Sequence, residues 1–324
     1  MSPPPLAYGF LVFDGFSNTV LASAIEPLRA ANTLAGRQLF AFTLLTVDGR
    51  PALTSSRLAI QPDAAAAAAP PLDVLFVVAG YDVRSFARPR VLALLHRLAR
   101  LTPVVAGLDV GAWLLAAAGL IDGRRATVHW QELEAFAEAF PDVRVSTDRC
   151  VIDGDRITAG GATTVMELML RLIGEHGGAA LAFEVGNMFV YDVELAVRQG
   201  RRGALSVPFA ARAPQLVRAI NEMRRTVAAP LPVARIAEVA ATSPRTLERL
   251  FVRELGVSPG RYYQLVRLGV ARALAEETAL AAAEIAERTG FSSSATLSRA
   301  FAAHFGTSVR AVRRGRLAPP RRRP

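Results

Sequence analysis

Residues 102–120 read TPVVAGLDVGAWLLAAAGL, and the fold of the first two thirds of the chain turns on this stretch. Val104-Val105-Ala106 is a short apolar run of the kind that fits a strand, and it breaks at Gly107. Ala112 to Ala118 then resumes as an apolar run of helical character. The corner between them is Gly107-Leu108-Asp109-Val110-Gly111. A strand-to-helix turn of pattern G-x-S-x-G lifts a nucleophile clear of a sheet. Here the glycines and the flanking elements are present, but the central residue is Asp109 rather than serine or cysteine.

Outward from that corner the pattern alternates. Tyr8–Phe13, Phe40–Val47, Asp73–Ala79 and Val104–Leu108 read as strands, with helices at Leu21–Ala35, closed by Gly36, and at Val91–Leu101. Strands separated by helices predict an α/β fold with a parallel sheet covered on both faces. Ligands in such sheets bind beyond the carboxyl ends of the strands, where Asp109 is placed. Asp14-Gly15-Phe16 and Gly80 follow two neighbouring strands and are expected on the same rim. In TAGGATT, Gly160 and Gly161 read as a further strand-to-helix turn whose N–H groups line the pocket. The alanine run DAAAAAAP, residues 63–70, sits between prolines and reads as a short surface connection.

Asp109 has three readings. As a covalent nucleophile it needs a histidine base, and only His129 and His176 lie within this part of the chain at candidate positions. As an N-cap it only satisfies the helix that follows. As a binding carboxylate it selects a cationic group, with Phe16, Trp113 and Trp130 as candidate aromatic faces. No metal is expected: H-E-x-x-H and C-x-x-C are absent, Cys150 is the only cysteine, and no P-loop lysine exists because the chain has no lysine at all. A single cysteine fits a reducing cytoplasm, and neither a signal peptide nor an apolar run of membrane-spanning length is read.

Charge divides the 324 residues unevenly. Residues 206–324 hold 20 Arg and 8 acidic residues, a net of +12, whereas residues 1–205 hold 18 Arg and 20 acidic residues, a net of −2. A basic module behind a near-neutral one predicts a nucleic-acid-binding unit. The arginine-rich end, RRGRLAPPRRRP, supplies only part of the excess.

That basic third is also duplicated. Ile236, Ala237 and Glu238 match Ile285, Ala286 and Glu287; after a one-residue insertion, Leu247, Arg249, Phe251, Gly256 and Ser258 match Leu297, Arg299, Phe301, Gly306 and Ser308. Each copy reads as a short helix (Val233–Ala241; Ala281–Thr289), a turn, and a second helix capped by Ser243 or by Ser292 or Ser293. Two such helices joined by a short turn make a helix-turn-helix, whose second helix enters the major groove. A long helix, Tyr262–Glu276, joins the copies and suits grooves ~34 Å apart on one DNA face. The residues expected to face DNA are Arg245, Thr246, Glu248 and Arg249 in the first copy and Ser294, Thr296 and Arg299 in the second.

The repeat, with LERLFVRELGVSPGRYYQLVRLGVARALA and GFSSSATLSRAFAAHFGTSV, resembles the AraC-type DNA-binding domain. The first part, with ASAIEPLRAAN, GAWLLAAAGLIDGRRATVHWQELEAFAEAFPDV and DRITAGGATTVMELMLRLI, resembles the PfpI-like, class I glutamine-amidotransferase-like fold, which is flavodoxin-like. Together they resemble the GlxA-type regulators. Enzymes of the fold carry a cysteine at the elbow and a glutamate four residues before the helix proline; Asp109 and Ser23 occupy those positions here, so the resemblance implies no inherited catalysis. It implies a small cationic nitrogen effector, of amino acid, betaine or carnitine type. The expected ligand-binding set is Asp109, Val110, Phe16, Glu26, Trp113, His129, Trp130 and Gly161. The expected organisation is a sensing domain over 6–205, a linker over 206–213, a DNA-binding domain over 214–316 and a basic tail over 317–324. Double-stranded DNA is the expected partner, with a homodimer through the first domain, RNA polymerase as a candidate contact and no cofactor. The alternatives are a hydrolase using Asp109 as nucleophile, fused to a DNA-binding unit, and a constitutive architectural DNA binder.

Overall fold

The computed structural model describes residues 4–189 and 214–316. In chain order the first part contains β1 (Leu6–Val12), α1 (Asn18–Ala35), β2 (Phe40–Thr46), β3 (Ala52–Leu53), β4 (Ala59–Ile60), β5 (Ala64–Ala65), β6 (Val74–Ala79), α2 (Pro89–Leu101), β7 (Val104–Asp109) and α3 (Gly111–Ala117). It continues with β8 (Arg125–Ala126), α4 (Leu133–Ala139), β9 (Arg144–Val145), β10 (Cys150–Asp153), β11 (Arg156–Ala159), α5 (Ala162–Gly177) and α6 (Ala179–Met188).

Seven strands form one sheet in the order β10-β11-β7-β6-β1-β2-β5. All neighbours run parallel except β10, which folds back antiparallel on β11. Period-2 alternation splits the strands between two cores. Phe10, Val12, Phe76, Val78, Ala106 and Leu108 pack under α1, α5 and α6. Leu11, Leu75, Val77 and Val105 pack against α2, α3 and α4 on the other face. Both sets are apolar because both faces are covered, so these strands read as continuous hydrophobic runs.

The alanine run departs from the sequence reading. Ala64 and Ala65 form β5, an edge strand registered on Leu45 and Thr46, and Ala66 is fully buried. Asp63 fixes the approach from both sides of its own residue: its amide donates to the Leu44 carbonyl at 2.8 Å and its carboxylate accepts from the Leu44 amide at 2.8 Å. Small side chains let this edge lie close, and its short length limits the exposed backbone.

The C-terminal part is helical: α7 (Pro214–Arg225), α8 (Val233–Val239), α9 (Pro244–Leu255), α10 (Pro259–Glu277), α11 (Ala282–Arg288), α12 (Ser294–Phe305) and α13 (Val309–Arg316). It has two separate cores. Leu216, Ile220, Ile236, Leu247, Phe251 and Tyr262 belong to one, and Leu268, Ile285, Leu297, Phe301 and Phe305 to the other. α10 contributes to both and so joins the halves, as the duplication predicts. The expected linker, 206–213, and tail, 317–324, lie outside the described residues. Side chains cross the expected division between the parts: Phe183 of α6, for one, is packed in the first helical core.

Candidate functional site

β7 ends at Asp109, paired with Ala79 of β6. The chain can turn there only because side chains are missing on both sides. A Cβ on Gly107 would lie 2.6 Å from the Ala112 nitrogen, and one on Gly111 would lie 2.0 Å from the Val77 carbonyl oxygen. The two glycines therefore let α3 seat directly on the sheet. Asp109 itself takes φ 60°, the left-handed region that non-glycine residues seldom enter. Backbone hydrogen bonds hold it: the Val110 amide donates to the Ala79 carbonyl at 3.0 Å, and the His129 amide donates to the Asp109 carbonyl at 3.1 Å.

The N-cap of α3 is Val110, with no side-chain cap. The capping reading of Asp109 is thereby corrected: the left-handed backbone moves the side chain off the helix start. Asp109 is 8% exposed and lines a cavity of about 570 Å³ at the carboxyl edge of the sheet. No protein donor hydrogen-bonds its carboxylate among the described residues. Burial raises its pKa above the ordinary carboxylate value, and the nearby His129 works in the opposite direction.

Of the residues expected to bind a ligand, the structure brings Asp109, Val110 and His129 to this cavity. Gly161, at φ 134°, stands behind them, its Cβ position 3.8 Å from His129 Cδ2. The other four are elsewhere. Phe16 is fully buried in the core, bridging Thr54. Trp113 is buried between Phe136 and Phe140, with the Arg84 guanidinium 4.3 Å above its ring. Glu26 is on α1, ion-paired with Arg29 at 2.8 Å. Trp130 is 71% exposed beside His129 and is not part of the lining.

Sequence reasoning missed the wall opposite Asp109. Asp82, Arg84 and Glu132 line the cavity, together with Ser17 and Ser55. Arg84 and Glu132 pair at 3.2 Å. With that pair neutralised, the carboxylates of Asp82 and Asp109 leave the cavity negative. A sequence signal existed in GYDVRSF, residues 80–86, which places charges directly after a strand end already read as rim.

The second candidate site is the face of the two recognition helices. Ser243 caps α9, its hydroxyl accepting from the Thr246 amide at 3.1 Å; Ser293 caps α12 and accepts from the Thr296 amide at 3.1 Å. Both helices end in a left-handed glycine, Gly256 and Gly306. Arg245, Glu248, Arg249, Ser294 and Arg299 are exposed. The three arginines make no ion pair with the described residues. Thr246 is exposed and Thr296 half-buried, and the hydroxyls of both are drawn into the capping groups, to Ser243 at 2.9 Å and to Ser293 at 3.0 Å.

Two family models match this chain: the DJ-1/PfpI family over residues 9–175, and the helix-turn-helix domain over residues 236–315. The HTH-type transcriptional regulator GbdR of Pseudomonas aeruginosa is 38% identical over 312 residues, covering 96% of this chain and 85% of its own length. The chain belongs to the AraC-type transcriptional regulators that carry a DJ-1/PfpI domain. Within this family the HTH-type transcriptional regulator GlxA of Rhizobium meliloti is 34% identical, covering 94% of this chain and 95% of its own. A solved AraC family transcriptional regulator from Pseudomonas putida superposes with a TM-score of 0.51 at 29% identity, covering 57% of this chain and all of that one. This regulator of GlxA type is thus a DNA-binding protein with a flavodoxin-like domain ahead of its helix-turn-helix pair. Among the described residues, no helix is long and apolar enough to cross a membrane.

Proposed function

We propose that the DJ-1/PfpI domain of this regulator is a non-catalytic sensor. Its cavity takes a small cationic nitrogen compound, of amino acid, betaine or carnitine type, on the carboxylate of Asp109. The observation that carries the reading is a mostly buried carboxylate, open to a cavity and accepting no hydrogen bond from the protein. A buried charge without a partner is costly, and a cationic ligand supplies the partner. Asp82 adds negative charge to the same cavity, while Val110, His129 and the backbone at Gly161 shape it. In the cytoplasm, binding shifts the population between two states that differ in DNA affinity. Residues 6–205 form the sensor and the dimer contact, and residues 214–316 bind operator DNA. Arg245, Thr246, Glu248 and Arg249 of α9, with Ser294, Thr296 and Arg299 of α12, meet bases or phosphates.

The test is a thermal-shift screen of amines, betaines and amino acids on the full chain, repeated on Asp109→Asn. A ligand at ~100 times its Kd adds ~2.7 kcal/mol of stability. A carboxylate–cation hydrogen bond contributes ~1.5–3 kcal/mol, so Asp109→Asn loses tenfold or more in affinity. A hit that shifts both proteins equally sinks the reading.

One observation favours a second reading, an aspartyl nucleophile with His129 as base: the left-handed backbone that lifts Asp109 at a glycine-flanked corner. Turnover of a hit compound, with a mass adduct on Asp109 trapped during reaction, is its test. A compound recovered unchanged with no adduct removes it.

A further inference from the structure

The DNA-binding part meets the sensor in two places, and each of the two helical halves has its own. The first half is held by α6. Phe183 is packed in its core, and Glu184 accepts hydrogen bonds from the Tyr262 hydroxyl and, at 2.9 Å, from Arg224. The second half is held by the C-terminal end of α1. Arg272 donates to the Thr33 carbonyl at 2.7 Å, and its guanidinium stands 4.9 Å above the Phe305 ring. Phe305 in turn presses on Gly36, the left-handed C-cap of α1: a Cβ there would lie 2.7 Å from the Phe305 Cα. His304 lies against the Leu34 backbone.

Phe305 and His304 are the last turn of α12, the second recognition helix. Arg272 belongs to α10 in the part that packs with the second core, beyond the residues that pack with the first. The attachments thus fall on opposite sides of the point where α10 passes from one core to the other. The far end of α1 is its N-cap, Ser17, which lines the Asp109 cavity. An 18-residue helix spans ~27 Å at 1.5 Å per residue.

We propose that the C-terminal end of α1 is a latch on the second helix-turn-helix half alone, so that the sensor sets the angle between the two recognition helices by holding each half through a different helix. The latch is small: one charge-assisted hydrogen bond to the Thr33 carbonyl, which the Gly36 amide also reaches at 3.2 Å, one ring seated on a glycine, and His304 against the Leu34 backbone. Such a contact opens without unfolding either side. The first attachment does not open in this way, because Phe183 is part of the core it touches. α1 and α6 share one core, so it is a movement of the C-terminal end of α1 relative to α6 that is delivered to α12 and not to α9. This proposal concerns how the halves are held and stands independently of what the cavity takes.

The experiment needs no ligand. Cys150 is buried, and burial pushes its thiol up to about 12, so it takes up little spin label. Labels at two pairs of exposed positions report on the full chain: Arg90→Cys with Ala303→Cys, from the sensor to α12, and Arg90→Cys with Val252→Cys, from the sensor to α9. Each pair is measured by electron–electron resonance in the otherwise unaltered chain, in Arg272→Ala and in Gly36→Asn. Asparagine tolerates the left-handed C-cap while placing a Cβ against Phe305, so the helix end is kept and only the seat is filled. The expected result is a single narrow distance for both pairs in the unaltered chain, and loss of the narrow peak for the Ala303 pair alone in either variant. Narrow peaks throughout would overturn the latch. Simultaneous broadening of both pairs would overturn it equally, because the halves would then move as one body.

Discussion

The His129 amide donates to the Asp109 carbonyl at 3.1 Å, tying the segment after β8 to the corner after β7. This bond ties down Asp109 in its left-handed conformation and sets His129 beside the carboxylate, where it works against the rise in pKa that burial causes. Burial of this carboxylate disfavours its ionised form.

Asp109→Asn is therefore expected to stabilise the ligand-free protein at neutral pH. The folded-state pKa of Asp109 is raised by burial, so the folded state binds more protons than the unfolded state between the ordinary value of 3.8 and the raised one. Stability falls as pH rises through that window, and above it the loss is complete. Melting curves from acid to neutral pH should show the variant gaining over the unaltered chain as pH rises, with no gain below the window. Equal melting temperatures at neutral pH would show that the carboxylate carries no desolvation cost.

Binding of any cationic ligand found in the screen should weaken on acidification. Only the ionised carboxylate attracts a cation, and the raised pKa moves its loss above the pH at which an ordinary aspartate protonates. Binding near that pKa also releases a proton, which calorimetry in buffers of different ionisation enthalpy detects. An affinity that is flat with pH throughout the window contradicts the contact.

The duplicated turn supplies a stability test. Ala241 in the first copy and Gly290 in the second occupy equivalent turn positions at φ 53° and φ 65°. The alanine is strained and exposed, so Ala241→Gly should raise stability by ~1 kcal/mol. Gly290→Ala should lower it by more, because its Cβ would meet Pro230 Cδ at 2.4 Å and the Val227 carbonyl oxygen at 2.7 Å. Chemical denaturation of the two variants checks the sign of each.

Gly111→Ala tests the seat of α3. Its Cβ would fall 2.0 Å from the Val77 carbonyl oxygen, a backbone atom in the middle of the sheet. A destabilisation of ~1–3 kcal/mol or more is expected from such overpacking, with the corner displaced and the ligand response lost. A variant that melts like the unaltered chain would mean that α3 is free to move off the sheet.

Arg249→Ala and Arg299→Ala test the DNA face. Both side chains are exposed and outside any ion pair with the described residues, so truncation should leave the melting temperature unchanged. Each should cost ~1–3 kcal/mol of operator affinity if it is bidentate to guanine, and relax preference at one base pair. A purely phosphate-bound arginine would instead weaken all sequences alike and reduce the salt slope.

The α/β alternation, the glycine-flanked corner and the duplicated helix-turn-helix were all legible in the amino-acid sequence, because each is a local pattern. Period-2 and period-3.6 hydrophobicity, a serine cap at Ser243 and Ser293, and a glycine stop at Gly256 and Gly306 act within a few residues of themselves. The sequence could not say which of Phe16, Trp113 and Trp130 would reach Asp109. All are apolar residues near strand ends, and burial in the core competes with the pocket for each of them. Packing sent Phe16 and Trp113 inward and left Trp130 in solvent, while Asp82 and Arg84, after β6, and Glu132, after β8, closed the cavity from two segments more than twenty residues from Asp109. The seating of Phe305 on Gly36 is likewise invisible to any local pattern, because it joins residues 269 positions apart, and only the packed chain brings them within reach.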